Sequence, residues 1–216
     1  MYGKKTIQQL NPQKLIAACT SLATIDPLLG LIYKKYGAPP LWERPAGFAT
    51  LLHIILEQQV SLASAKACFD KLAVRLGKIE PELLLELDDA DLKAVGFSRQ
   101  KAAYARHLSE ALLEKRIDLD ALHHLPDDGV KSELIKLKGV GHWTADIYLL
   151  MAMLRPDVMP KGDLALHVAY QKLATADIRP TADEFIEIAE KWRPHRSTAA
   201  RLLWHFYLSE IRKPKR

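Results

Sequence analysis

Apolar residues return at positions i, i+3 and i+4 along almost the whole chain. No segment shows the strict alternation that a half-buried strand would need. That periodicity confines the 216 residues to helices joined by short breaks, an all-α fold. Glycine and proline mark the breaks. Gly37-Ala38-Pro39-Pro40 separates two N-terminal helices, over 10–24 and 27–36, from a strongly apolar one over 48–61. Ser61 is placed to cap the next helix, which Gly77 stops. Shorter patterns follow over 81–87 and 89–95, the second ended by Gly96. Ser98 caps a helix to about residue 114, with Phe97 as a core anchor and Arg99 and Lys101 as solvated side chains. Patterns over 119–125 and 127–137 come next. Near the end, Thr181 with Glu184 three residues on forms a capping box for 181–191. Ser197 opens the last helix, which carries Trp204 on one face.

Within this series the stretch 137–170 is unlike the rest. It begins Leu137-Lys138-Gly139-Val140-Gly141, two glycines bracketing one apolar residue, directly before a helical pattern over 143–154. It breaks at Arg155-Pro156 and restarts at Gly162-Asp163. Glycine permits φ > 0 and lets an anion approach the backbone. A helix that starts just after such a turn offers unpaired N–H groups and a positive dipole end. The first half therefore reads as a phosphate-gripping hairpin, and the second delivers a carboxylate at the start of another helix. Taken alone, an aspartate there would be an ordinary N-cap.

The string L-K-G-V-G-H-W-T-A, followed 22 residues past Gly141 by Asp163 in P-K-G-D-L-A-L, resembles the helix-hairpin-helix plus Gly/Pro-Asp signature of DNA base-excision glycosylases. In particular it resembles the 3-methyladenine DNA glycosylase II type, the alkylation-repair branch. Gln58-Gln59-Val60-Ser61 is similar to that family's Q-x-V-S stretch, and residues 96–102 to another of its turns. Trp192 to Ala200 resembles its W-x-P-x-R-S-x-A element, so the likeness covers roughly 45–210. It implies a two-lobed helical fold with the active-site cleft between the lobes, in a compact form without the extra N-terminal β domain of some relatives. It further implies N-terminal helices over 1–44 packing on the C-terminal lobe, and a glycosylase domain over 45–210. The hairpin occupies 137–145, the catalytic loop 159–166, and a basic tail 211–216.

Excising a base requires flipping it out of the duplex, at about a few kcal/mol. A backbone grip, an aromatic pocket and charge stabilisation for the sugar are then needed. The resemblance assigns the DNA-backbone grip to Gly139, Val140, Gly141 and Thr144, whose contacts carry no base specificity. In family members the hairpin carbonyls can also hold a monovalent cation; no other cofactor is implied. Trp143 and Trp204 are assigned to the base pocket, where a base made cationic by methylation stacks on an electron-rich indole. Ile147 stands where some relatives have an aromatic residue, and Tyr148, one position on, faces elsewhere by helical direction. Asp163 is the implied catalytic carboxylate, stabilising an oxocarbenium-like sugar. Relatives with lyase activity carry a lysine at the position of Trp143, so the resemblance implies a monofunctional enzyme. A wedge side chain is expected near Arg75 or Leu76. Lys161, just ahead of Gly162-Asp163, reads as a solvated lysine in a place that could reach phosphate.

Composition removes several other classes. Two cysteines, Cys19 and Cys68, cannot build the four-cysteine iron–sulfur cluster of endonuclease III relatives and read as reduced core residues. The eight histidines, His123-His124 among them, show no metal-ligand spacing. No apolar run reaches membrane length, and the start MYGKKTIQQL lacks a secretory apolar core. The net charge of +5 favours a polyanionic partner without requiring one. The expected partner is double-stranded DNA containing damaged bases, bound by a monomer. The expected setting is the cytoplasm (nucleoid) of a bacterium or the nucleus of a eukaryote. Two other readings remain open at this level. One is a non-enzymatic helix-hairpin-helix lesion binder; the other is a glycosylase for deaminated or oxidised bases.

Overall fold

The computed structural model describes residues 8–212, and every regular element among them is helical. In chain order the helices are α1 (Pro12–Ile25), α2 (Pro27–Tyr36), α3 (Phe48–Glu57), α4 (Leu62–Leu76), α5 (Pro81–Leu85), α6 (Asp89–Val95), α7 (Arg99–Leu113), α8 (Asp127–Leu134), α9 (His142–Met151), α10 (Leu164–Leu173), α11 (Ala182–Ala189) and α12 (Arg196–Phe206). The chain divides into two compact units, one of residues 1–43 with 149–216 and one of residues 44–148. Positions 213–216 of the expected basic tail, and residues 1–7 of the start, lie outside the described residues.

In the first unit, Asp26 ends α1 and caps α2. Its carboxylate accepts from the Leu28 N–H at 2.9 Å and from Trp192 Nε1 at 2.8 Å, and pairs with Lys191 at 2.9 Å. The side chain is only 2 % exposed. Burial alone would raise its carboxyl, but the hydrogen bonds from Lys191, Trp192 and Leu28 outweigh that and hold it below the usual range. The N-terminal helices are thus fastened to the turn before α12. From α12, Arg201 fastens the segment that follows them. Its guanidinium is fully buried and donates to the carbonyls of Leu41, Leu150 and Ser197 at 2.9, 2.7 and 3.1 Å. Desolvation pulls this group down to about 10, still protonated at neutral pH. The capping box of α11 forms as the sequence predicts, with Thr181 and Glu184 bonded reciprocally. Ser197 does not cap α12. The helix begins one residue earlier, and the Ser197 hydroxyl turns inward to accept from the Val158 N–H at 2.9 Å. A buried segment with no ladder partner needs that acceptor.

The second unit is built on α3, where Leu51, Leu52, Ile54 and Ile55 are all inaccessible. So wide an apolar face marks a helix that is mostly buried. The structure stops it at Glu57, four residues short of the expected end. Gln58 is extended and Gln59 has φ +56°. The carbonyls released there are taken by Lys101, whose Nζ donates to Leu56 O at 2.6 Å and Gln58 O at 2.9 Å. Lys101 is therefore a half-buried clamp, not the solvated side chain the sequence suggests, and burial lowers its ammonium from the usual value. The caps at Ser61, Gly77, Gly96 and Ser98 stand where expected. The pattern over 119–125 forms only a single 3₁₀ turn, Ala121–His124.

Cys19 is buried and Cys68 half-buried, with no disulfide; burial pushes the Cys19 thiol up to about 12. Among the described residues no group of histidine, cysteine and carboxylate side chains could hold a metal ion. No described helix is long and apolar enough to cross a membrane.

Candidate functional site

In the second unit, α8 and α9 flank the turn at 137–141. Lys131 on α8 reaches Asp146 on α9 at 2.6 Å, bracing the pair. Gly139 has φ +86°, and a Cβ added there would fall inside the ring of Tyr104 from α7. Both the backbone and the underlying ring therefore demand glycine. Gly141 differs, since a Cβ there would meet nothing within 4 Å. The Val140 N–H is spent inside the turn on Leu137 O at 3.0 Å. In α9 the first intrahelical bond is Ala145 N–H to Gly141 O, so the N–H groups ahead of it form the helix N-terminus.

Thr144 is not placed to offer its hydroxyl outward. It is 1 % exposed, and its Oγ1 accepts from Gln58 Nε2 at 2.8 Å. The same Nε2 donates to Gly139 O at 2.8 Å, so one amide ties the end of α3 to both arms of the hairpin. The Thr144 side chain therefore supports the turn from within. Trp143, one residue earlier, is half-buried. Ile147 is in the core. Tyr148 is inaccessible and its hydroxyl accepts from the Gly47 N–H at 2.9 Å; burial pushes that phenol up to about 12. Arg75 is exposed and paired with Asp91 at 2.7 Å, while Leu76 is half-buried.

In the first unit, Gly162 (φ +78°) turns the chain and Asp163 caps α10. Asp163 Oδ1 accepts from the Leu166 N–H at 3.1 Å and from Trp204 Nε1 at 3.2 Å. Both side chains are nearly buried, at 8 % and 9 % exposure. The structure thus brings together two residues 41 apart in sequence, a carboxylate and an indole, on facing helices α10 and α12. Lys161 is exposed and pairs with Asp183 of α11 at 2.5 Å. His167, one turn beyond Asp163, has Nδ1 3.0 Å from Pro180 O, and its ring lies tilted by 36° against Phe185 with centroids 4.6 Å apart.

Four residues escape sequence reasoning. Gln58 is visible in its motif, but its partners are not. Tyr104 and Arg201 sit in ordinary helical periods that say nothing of a glycine or a carbonyl opposite. Trp42, in a proline-rich break without period, lies edge-on to Trp204, with ring centroids 6.3 Å apart and planes at 78°.

Residues 52–195 match the model of the HhH-GPD superfamily of base excision DNA repair proteins. YfjP of Bacillus subtilis (strain 168), provisionally named a DNA-3-methyladenine glycosylase, is 28 % identical over 184 residues, 82 % of this chain; the chain spans 64 % of that protein's length. The alkylbase DNA glycosidase-like protein mag2 of Schizosaccharomyces pombe (strain 972 / ATCC 24843) is 26 % identical over 190 residues, covering 85 % of this chain and 89 % of that one. Among solved structures, the fission yeast 3-methyladenine DNA glycosylase Mag1 in complex with abasic DNA superposes with a TM-score of 0.82 at 26 % identity, over 87 % of this chain and 95 % of that one. With two thirds of its length inside the family model, the chain belongs to the HhH-GPD superfamily of base excision DNA repair proteins.

Proposed function

We propose that this protein is a monofunctional DNA glycosylase that binds double-stranded DNA, flips out alkylated purines of the 3-methyladenine and 7-methylguanine type, and hydrolyses their N-glycosidic bonds. The observation that carries this reading is the Asp163 carboxylate, held on α10 by the Leu166 N–H and against Trp204 by its indole N–H. Two donors on one oxygen fix the carboxylate's orientation before any substrate arrives, the preorganisation that electrostatic catalysis requires.

In the reaction the bond between C1′ and the base nitrogen breaks, and its electron pair leaves with the base. An N3- or N7-alkylated purine is already cationic, so that pair neutralises it and no strong general acid is needed. Positive charge grows on the sugar instead, where Asp163 stabilises it. Water then adds at C1′ and gives up a proton, leaving an abasic site. Trp143 stands where a lysine would be needed to form a Schiff base with the sugar, so the strand stays uncut.

The grip on DNA is assigned to Gly139, Gly141 and the first turn of α9, whose N–H groups suit a phosphate oxygen. Thr144 and Gln58 act from behind, keeping the turn in shape. Trp143 and Trp204 are assigned to the base pocket. The protein works as a monomer, in the nucleoid of a bacterium or the nucleus of a eukaryote.

The test is release of free base from methylated duplex DNA, with wild type beside Asp163→Asn. Wild type frees 3-methyladenine or 7-methylguanine. The variant binds abasic-site DNA but slows release by about 10²-fold or more, the scale on which a preorganised electrostatic partner acts. Wild-type protein that binds abasic-site DNA and frees neither base would reject the catalytic assignment and leave a lesion binder.

A further inference from the structure

Trp42 carries three observations that packing alone does not unite. Its backbone has φ +49°, in the left-handed region that a bulky side chain disfavours. Such a conformation persists only where the surroundings over-determine it, and it concentrates at functional sites. The surroundings here are specific. The carbonyl just before it, Leu41 O, is fixed at 2.9 Å by the buried Arg201, and its ring lies edge-on to Trp204, three residues further along the same helix. Helix α12 therefore fastens both the backbone and the ring of this one residue. Yet the indole so carefully placed is only half-buried, unlike Trp204 and Trp192.

Trp204 in turn donates its indole N–H to Asp163. The half-exposed ring is thus one contact from the indole that holds the proposed catalytic carboxylate. Two indoles at 78° make a corner. A flat base stacked on one of them meets the other at its edge, so that one face and one edge of the base are both covered. Indole faces are electron-rich and favour a cationic ring over a neutral one.

We propose that Trp42 is a specificity-determining residue that forms, with Trp204, the aromatic corner receiving the flipped base, and that it selects electron-poor, cationic purines. This rests on the reading of Asp163 and Trp204 as the excision centre. It goes beyond that reading by assigning a residue outside the hairpin and the catalytic loop.

The test uses the full chain with Trp42→Gly and Trp42→Phe. Glycine removes the ring and also relieves the left-handed backbone, so this variant keeps its fold where alanine would retain the strain. Three quantities are read: single-turnover release of 7-methylguanine and of hypoxanthine from duplex DNA, affinity for abasic-site duplex, and tryptophan-fluorescence titration with free 3-methyladenine at mildly acidic pH, where it is protonated, against neutral adenine. The expected result is a loss of about tenfold or more in 7-methylguanine release and 3-methyladenine binding for Trp42→Gly. Hypoxanthine, which stacks on the ring without a cationic charge, loses less than 7-methylguanine does, and affinity for abasic-site duplex, which places no base in the corner, changes by less than about threefold. Trp42→Phe restores most of the loss. Equal losses for cationic and neutral bases, together with weakened abasic-site binding, would mark Trp42 as packing and overturn the proposal. So would a Trp42→Gly protein that releases and binds both bases like wild type; that result leaves the glycosylase reading standing. If wild type frees no base but binds 3-methyladenine through Trp42, the corner stands and the glycosylase reading falls. If wild type neither binds nor frees it, both fall.

Discussion

At the scale of single residues, the two glycines of the hairpin are there for different reasons, and the difference can be measured. Gly139 is fixed by its left-handed backbone and by the Tyr104 ring beneath it, whereas Gly141 is bounded by open space and has an ordinary φ. Gly139→Ala combines a left-handed penalty with an overlap that must push Tyr104 aside, and should cost about 2–4 kcal/mol in denaturant unfolding. Removing the ring in a Gly139→Ala, Tyr104→Ala double variant relieves the overlap but not the backbone. The pair should therefore be less destabilised than the sum of the singles, a coupling that a double-mutant cycle reads directly. Gly141→Ala should leave stability within about 0.5 kcal/mol and still weaken binding to duplex DNA, because a methyl group then stands where a phosphate approaches. An alanine at 141 that binds DNA like wild type would remove this glycine from the interface.

At the scale of elements, the joint between the N-terminal helices and the rest of their unit is polar. Asp26 caps α2 while accepting from Trp192 and pairing with Lys191. Its folded carboxyl lies below the ordinary value of 3.8. A depressed folded value means the folded state prefers the ionised form. The stabilisation is complete above the unfolded value and is lost as pH falls through the folded one. Acid unfolding should therefore show a component below about pH 4 that Asp26→Asn abolishes. The same substitution should cost about 1.5–3 kcal/mol at neutral pH, the worth of a hydrogen bond to a charged group. Parallel acid limbs for the two proteins, followed by circular dichroism, would show that this joint does not govern acid stability. The joint also shows what local sequence reveals. Asp26-Pro27 announces a helix start by itself, as do Ser61, Ser98 and the Thr181–Glu184 box, and each cap stands where its residues suggest. The end of α3 does not announce itself. What closes it is the ammonium of Lys101, more than forty residues on, and no pattern within 48–61 contains that fact. Thr144 and Trp42 were illegible for the same reason, since their surroundings come from α3 and α12.

For the whole molecule, charge is the property on which fold and function meet. The formal excess is only +5, although the chain carries 31 lysine and arginine residues. Many of these are already matched within their own unit: Lys66 with Asp70, Arg75 with Asp91, Arg106 with Asp89, Lys136 with Glu133, Lys161 with Asp183. The hairpin assigned to the phosphates contributes backbone N–H groups, which carry no net charge and release no counterion from DNA. A protein that grips this way differs from one that coats the duplex with lysine. Its affinity for an abasic-site duplex should fall only gently with salt, with a slope of log K against log [salt] of about −3, corresponding to about three neutralised phosphates. Binding measured by fluorescence anisotropy over a series of salt concentrations gives the slope directly. A value near −8 would mean that a broad basic surface, and not the turn at Gly139–Gly141, supplies most of the attachment. In that case Lys161→Ala, which removes one charge beside the Asp163 loop, should lower the magnitude of the slope by about one, whereas under the hairpin grip it leaves the slope unchanged.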